Sequence, residues 1–124
     1  MSDRRAATPS AVVESAVAAI NRRDLTAFLA RFEADYRSEQ PRHPERNFIG
    51  LERVKRNWRS NLEAMADLRW DLLNVAVSGD QVMAELVWSG TRVTGERWLE
   101  QGVIVYTVRD DRISAGRVYM EPVD

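Results

Sequence analysis

The sequence predicts an α+β domain in which three N-terminal helices pack on a curved, mainly antiparallel sheet that encloses a pocket. Apolar residues recur at helical spacing up to Met65, and from Leu68 onward they alternate as in strands. Turn-forming clusters then divide the second half of the chain into four hairpin-linked strands. We expect this order of elements to form a cone with a cavity open at one end.

Composition limits the class of protein. The chain has 124 residues and no cysteine, which predicts one domain over residues 1–124 without disulfides or thiolate chemistry. A net charge of −1 provides no basic field for nucleic acid or for a membrane surface. The single histidine, His43, excludes a His-rich metal site. No apolar segment is long enough to span a membrane. We therefore expect a cytoplasmic protein that uses no metal and no cofactor.

The three helices follow from start signals and apolar spacing. The first begins at Thr8-Pro9, because threonine caps free amides and proline suits the first helical position. Asp24 caps the second helix, whose apolar stripe continues to Phe32, and the third helix follows Gly50. The apolar stripes consist of Val12, Val13, Ala16, Val17 and Ile20; Leu25, Phe28, Leu29 and Phe32; and Leu51, Val54, Trp58, Leu62 and Met65.

Five strands are predicted. A short one over Tyr36–Gln40 stops at Pro41, and an ordered loop containing His43 follows it. The four longer strands cover residues 68–77, 81–93, 97–108 and 112–121, separated by turn clusters at 78–80, 94–96 and 109–111. Gly90 and Gly102 are predicted to form bends or bulges in the two middle strands.

Three strings resemble the nuclear transport factor 2-like superfamily in order and spacing. They are DYRSEQP at residues 35–41, GLERVKRNW at 50–58 and YMEP at 119–122. The resemblance covers residues 8 to 122 and extends to the ketosteroid isomerases and SnoaL-like polyketide cyclases of this cone-shaped α+β fold. It implies a cavity for small apolar or aromatic molecules and a homodimer formed through the outer face of the sheet. Fold alone does not define the function.

The resemblance also locates the residues that a ketosteroid isomerase requires, a carboxylate base and two groups that stabilise an enolate. The base position falls on Gln40, whose amide cannot accept a proton. The positions of the oxyanion tyrosine and of the acid fall on Ala16 and Ile104. The alignment therefore predicts a SnoaL-like protein without the isomerase catalytic residues.

Strand alternation predicts which side chains face the cavity. The expected ligand-binding residues are Tyr36, Gln40, Trp58, Trp88, Trp98, Ile104 and Tyr106. Trp88 and Trp98 would form an aromatic wall, whereas core packing alone explains Trp58 and Trp70. For the last strand either face could line the cavity. One face carries Gly116, Val118 and Met120, and the other carries Arg117, Tyr119 and Glu121.

Two residues are candidates for acid–base catalysis, Glu100 and His43. Glu100 is the one acid on the predicted inward face of the two long strands, where desolvation would raise its pKa. Alternatively it forms an ion pair with Arg97 or Arg117 at the edge of the cone. The loop that carries Pro41, His43 and Pro44 is expected to form the rim of the cone and is named here the rim loop. His43 would assist catalysis from this loop, or would only hydrogen bond to backbone there.

Three functions remain open at this point. The first is a small-molecule-binding protein with an apolar, aromatic pocket. The second is a cofactor-independent cyclase, isomerase or hydratase acting on a polyketide-like or other carbonyl substrate. The third is a dimeric structural module with a vestigial pocket. The expected partners are a small organic ligand and a second copy of the chain, and neither nucleic acid nor a membrane.

Overall fold

The computed structural model describes residues 8–123, which form three α-helices and one six-stranded sheet. The helices are α1 (Pro9–Asn21), α2 (Leu25–Leu29) and α3 (Leu51–Ala64), with a 3-10 turn at Pro44–Arg46. The strands are β1 (Phe32–Glu39), β2 (Phe48–Ile49), β3 (Arg69–Ser78), β4 (Gln81–Thr91), β5 (Arg97–Arg109) and β6 (Arg112–Pro122). The predicted α+β class is confirmed. Within the described residues, no helix has the length and apolar character that crossing a membrane requires.

The sheet has the strand order β2-β1-β6-β5-β4-β3. Strand β1 runs parallel to β6, and every other neighbouring pair is antiparallel. The helices cover the concave side of this sheet, where α1 packs against β3. The short strand β2 extends the sheet beyond β1 and lies in the segment predicted as a loop.

Side-chain contacts fix the two N-terminal helices. Thr8 Oγ1 and Asp24 Oδ1 each accept a hydrogen bond from the amide three residues later, at 3.3 and 3.0 Å. Between the two helices, Arg23 adopts a left-handed φ of 63°. Its guanidinium donates to the carbonyl oxygens of Met65 and Ala66, just beyond α3. Arg23 therefore joins the α1–α2 turn to the end of α3.

The predicted second helix is too long. Helix α2 ends at Leu29, and Phe32 is already the first residue of β1. There it pairs with Ile113 of β6, and the amide of Ile113 donates to the carbonyl oxygen of Arg31 at 2.7 Å. Phe32 still packs on Phe28, with ring centroids 5.0 Å apart. The same core contact is thus made from a strand, because pairing with β6 stabilises the extended backbone.

The glycines predicted as bulges do not interrupt the sheet. The pairing of β4 with β5 continues without a register shift through Gly90 and Gly102. Register shifts lie instead between Leu72 and Asn74 on β3 and between Thr107 and Val108 on β5. Gly102 has a different role, because the backbone of β6 approaches it too closely for a side chain.

The two faces of the sheet differ as strand alternation predicts. Val82, Ala84 and Leu86 are fully buried on the concave face, whereas Met83 is 38% exposed on the convex face. On β6 the apolar residues Val118 and Met120 line the cavity. The choice that the sequence left open is therefore settled in favour of the face that carries Gly116, Val118 and Met120.

Candidate functional site

The concave side of the sheet encloses a cavity of about 410 Å³ between the strands and helices α2 and α3. Its size is within the usual range for small-molecule sites. The residues predicted from the sequence to bind a ligand all lie on its lining: Tyr36, Gln40, Trp58, Trp88, Trp98, Ile104 and Tyr106. Several further lining residues were not predicted from the sequence, among them Phe28, Arg46, Asn57 and Asn61. Trp70, attributed to core packing, also lies on the lining.

Indole rings form one wall of the cavity. Trp58 lies edge-to-face with both Trp70 and Trp88, with ring centroids 4.8 and 4.9 Å away. Trp98 stacks beside Trp88 at 6.3 Å with an interplanar angle of 22°. Aromatic pairs at these distances stabilise one another through their quadrupoles. The four rings (Trp58, Trp70, Trp88 and Trp98) are named here the tryptophan wall.

The side chain of Asn21 holds one end of this wall. At the end of α1 its amide group donates to the carbonyl oxygen of Trp70 and accepts from the amide of Trp70, both at 2.8 Å. These two hydrogen bonds take the place of those that a neighbouring strand would make with the free edge of β3. The backbone of Trp70 is thereby fixed to α1, with its ring directed into the cavity.

The tryptophan wall leaves two donors without acceptors. Within residues 8–123, Trp70 Nε1 and Trp88 Nε1 are buried and have no hydrogen-bond partner. An unpaired buried polar group costs about 1–3 kcal/mol of stability. These two indole groups therefore lack the hydrogen bond that usually accompanies a buried tryptophan.

Glu100 faces the cavity and contacts the wall. Trp98 Nε1 donates to Glu100 Oε2 at 3.1 Å. Desolvation raises the pKa of Glu100, while the Trp98 hydrogen bond and the charge of Arg46 oppose that rise. In the described part of the chain no cation lies within ion-pair distance of Glu100, and Arg97 contacts Asp67 instead. The alternative of an ion pair with Arg97 or Arg117 is therefore wrong.

His43 has a structural contact that the sequence did not predict. Its Nε2 lies 2.7 and 3.0 Å from the two carboxylate oxygens of Glu121. This hydrogen bond is the main reason that the pKa of Glu121 is lowered. The ring does not belong to the cavity lining. His43 was expected on the rim of the cavity, but its ring does not contact the cavity. Its contact with Glu121 joins the rim loop to the end of β6.

The rim loop is also tied internally. The amide of Gln40 donates to Asn47 Oδ1 at 2.7 Å, and the amide of His43 donates to the carbonyl oxygen of Gln40 at 2.8 Å. These bonds, together with the contact between His43 and Glu121, fix the backbone of Gln40, which lines the cavity as Arg46 does. Residues 8–123 contain no group of three or more acidic, His or Cys side chains suited to a metal ion.

A curved six-stranded sheet closed by three helices around a cavity defines a nuclear transport factor 2-like domain. Residues 13–116 match the family described as SnoaL-like domain, and the chain belongs to that family. No curated protein matches this chain.

Solved structures share the fold at low sequence identity. A nuclear transport factor 2-like protein of unknown function from Cytophaga hutchinsonii has a TM-score of 0.73 at 15% identity, covering 97% of this chain and 95% of its own. A Mycobacterium tuberculosis protein in complex with estradiol-17β-hemisuccinate has a TM-score of 0.77 at 20% identity, covering 91% and 94%. A candidate polyketide cyclase from Xanthomonas campestris has a TM-score of 0.69 at 23% identity, covering 88% and 87%. At these identities the likeness establishes the fold alone.

Proposed function

We propose that this chain binds a flat, mainly apolar organic molecule in the cavity beside the tryptophan wall. The observation that carries the proposal is the continuous run of indole rings along a cavity of about 410 Å³. Flat rings stack on such a wall with little loss of conformational entropy. The similar M. tuberculosis protein, in complex with a steroid ester, supports a ligand of this general shape.

The lining combines the tryptophan wall with polar side chains. Gln40, Arg46 and Glu100 belong to it, and helix α3 contributes Asn57, Ser60 and Asn61. Small-molecule sites commonly combine an apolar body with a few polar groups that orient the ligand. This distribution favours a bound molecule over a vestigial cavity, which would be expected to fill with larger side chains.

Removing Trp98 is expected to weaken binding of a flat aromatic ketone such as 2-acetylanthracene about tenfold or more, since a stacked ring is lost. The ligand's own fluorescence is the appropriate readout, because the variant also lacks an indole fluorophore. Trp98→Ala is the first choice because Trp98 lies at the outer end of the wall. Trp88→Ala is expected to act in the same direction with a larger loss of stability.

The matched control for this experiment is Tyr119→Ala, which removes an aromatic ring from the convex face, where it is 37% exposed. It should leave the dissociation constant unchanged. If Trp98→Ala and Trp88→Ala both fold and bind like the unsubstituted protein, the wall is structural and the proposal is wrong.

An enzymatic function is the second candidate, and the environment of Glu100 favours it. A half-buried carboxyl with a raised pKa at the cavity is suited to accept or donate a proton. Gln40 on the same lining would donate a hydrogen bond to a substrate carbonyl. With Gln40, Ala16 and Ile104 at the aligned isomerase positions, such an enzyme would be a cofactor-independent cyclase, isomerase or hydratase with its own catalytic arrangement.

We further propose a homodimer formed through the convex face of the sheet. This face carries an apolar patch made of Met83, Val87, Val103, Val105 and Tyr119, with Glu85 among them. Cross-strand pairing joins Met83 to Val105 and Val103 to Tyr119. Met83 and Tyr119 are 38% and 37% exposed, and Leu73, at the register shift of the neighbouring strand β3, is 54% exposed. An apolar area of this kind is typical of a protein interface.

Sedimentation velocity at micromolar concentration is expected to show a dimer, and Met83→Arg is expected to yield a monomer because it buries a charge at the centre of the patch. Val93→Arg is the matched control, since Val93 is 91% exposed in the β4–β5 turn. A monomeric unsubstituted protein would refute the dimer. A dimer that binds no aromatic ligand would instead favour the structural module with a vestigial pocket.

A further inference from the structure

Three residues that carry hydroxyl groups line the cavity far from Glu100. Tyr106 lies six residues beyond Glu100 on β5, which is about 20 Å along an extended strand. Gly116 of β6 pairs with Tyr106 on one side and with Ser38 of β1 on the other. Tyr36 precedes Ser38 by two residues and shares its face of β1. We name Tyr36, Ser38, Tyr106 and Gly116 together the hydroxyl niche.

Gly116 makes this arrangement possible. A Cβ atom at residue 116 would lie 2.5 Å from Tyr36 Oη and 3.4 Å from Tyr106 Cδ1. Because glycine has no side chain, the phenol of Tyr36 reaches the backbone of β6 next to the ring of Tyr106. The side chains of Tyr36 and Tyr106 therefore lie next to each other on the cavity lining.

The niche has more donors than the protein uses. Tyr36, Ser38 and Tyr106 are each at most 5% exposed, and all three line the cavity. A hydrogen bond with Ser38 partly offsets the raised pKa of Tyr36, and it involves only one of the three hydroxyl protons. Because all three residues line the cavity, donor capacity remains for an acceptor bound there.

The niche is also electrically neutral. Burial raises the pKa of both Tyr36 and Tyr106, so both phenols stay protonated and act as donors. The charged residues of the described lining are Arg46 and Glu100, near the rim loop. A neutral acceptor oxygen is the partner that satisfies neutral donors in an apolar site without burying a charge.

We propose that the hydroxyl niche binds a neutral carbonyl oxygen of the ligand, so that the cavity selects flat conjugated ketones and holds them with the carbonyl towards Tyr36 and Tyr106. This inference rests on the ligand-binding function proposed above. It specifies how the ligand is oriented in the cavity and to which chemical class the ligand belongs, and the tryptophan wall alone specifies neither.

The test compares 2-acetylanthracene with 2-isopropenylanthracene, in which a CH₂ group replaces the carbonyl oxygen in the same flat shape. The ketone is expected to bind about fivefold to tenfold more tightly, as is usual for one buried neutral hydrogen bond. Tyr106→Phe and Tyr36→Phe should each reduce that preference to about twofold or less, with the affinity for the hydrocarbon nearly unchanged. Tyr119→Phe, on the convex face, is the matched control and should keep the full preference.

Each outcome bears on a different statement. Equal binding of ketone and hydrocarbon by the unsubstituted protein, or a preference that survives in both phenylalanine variants, overturns the niche and leaves the cavity proposal intact. A preference lost only in Gln40→Leu would place the carbonyl at the rim and also overturn it. Failure of the folded protein to bind either compound refutes the ligand-binding function together with the niche.

Discussion

Replacing Glu100 with glutamine is expected to lower any proton-transfer turnover about 100-fold or more, while ligand affinity stays within about twofold. Glutamine has the same shape and can still accept the hydrogen bond from Trp98 Nε1, but it cannot take up a proton. A suitable substrate is 2,6-diacetylanthracene, because one carbonyl can lie in the hydroxyl niche while the second acetyl group extends towards Glu100. Deuterium exchange of its methyl protons, followed by NMR in D₂O, measures base catalysis directly.

The control for this measurement is Glu85→Gln, which makes the same chemical change on the convex face. It should exchange at the unsubstituted rate. Exchange no faster than in buffer alone for the unsubstituted protein would contradict the enzymatic function for enolisable ketones. Exchange that is equally fast in Glu100→Gln would show that another group is the base.

The pH dependence of stability tests the environment of Glu100 without any substrate. Because burial raises the pKa of Glu100, the folded protein binds its proton more tightly than the unfolded chain does. The resulting stabilisation is complete below the unfolded pKa and is lost as the pH rises through the folded pKa. Glu100→Gln is therefore expected to melt at a higher temperature than the unsubstituted protein at neutral pH, with the difference vanishing in acid. A lower melting temperature at neutral pH would contradict the raised pKa.

Gly102→Ala is expected to lower the free energy of unfolding by roughly 3 kcal/mol or more, which is exceptional for the addition of one methyl group. A Cβ at this position would overlap the carbonyl oxygen of Tyr119 and lie 2.8 Å from its carbonyl carbon. Both are backbone atoms of β6, so relief would require separating β5 from β6 in the middle of the sheet. Urea denaturation, with the midpoint and slope compared, measures the loss.

Gly90→Ala is the matched control, since Gly90 lies in the adjacent strand and its Cβ would meet the Met65 side chain, with Sδ at 2.7 Å. A flexible methionine can move, so a clearly smaller loss is expected. Equal losses in the two variants would show that the approach of β6 to Gly102 is not the limiting contact.

Much of the fold could be predicted from local patterns. The caps at Thr8 and Asp24 and the glycine before α3 placed the helix starts, and the turn clusters placed the four long strands within about two residues of their observed ends. Phe32 was assigned wrongly because a spacing of four suits a helix and a helix-to-strand junction equally well. Only pairing with Ile113, distant in the sequence, selects the strand.

The cavity-facing residues of β4 and β5 could be predicted from the sequence because the pairing of these two strands has no register shift. Alternation counted along either strand therefore stays correct from Val82 to Trp88 and from Trp98 to Tyr106. Trp70 was not recognised as a pocket residue for the opposite reason. Counting back from the Ser78–Gln81 turn would place it on the convex face, and the shift at Leu73 turns it towards Trp88.

The sequence by itself determined the fold class, the order of elements and the inward rows of the two central strands, since these depend on spacing within single segments. Only the tertiary structure decided which face of β6 lines the cavity. Near the β5–β6 turn Val108 pairs with Ile113, but one extra residue at Ser114 shifts the pairing so that Tyr106 lies opposite Gly116. A single inserted residue reverses the facing of a whole strand because side chains alternate with period two. The hydroxyl niche and the apolar side of β6 both depend on that insertion, which no local pattern in the sequence reveals.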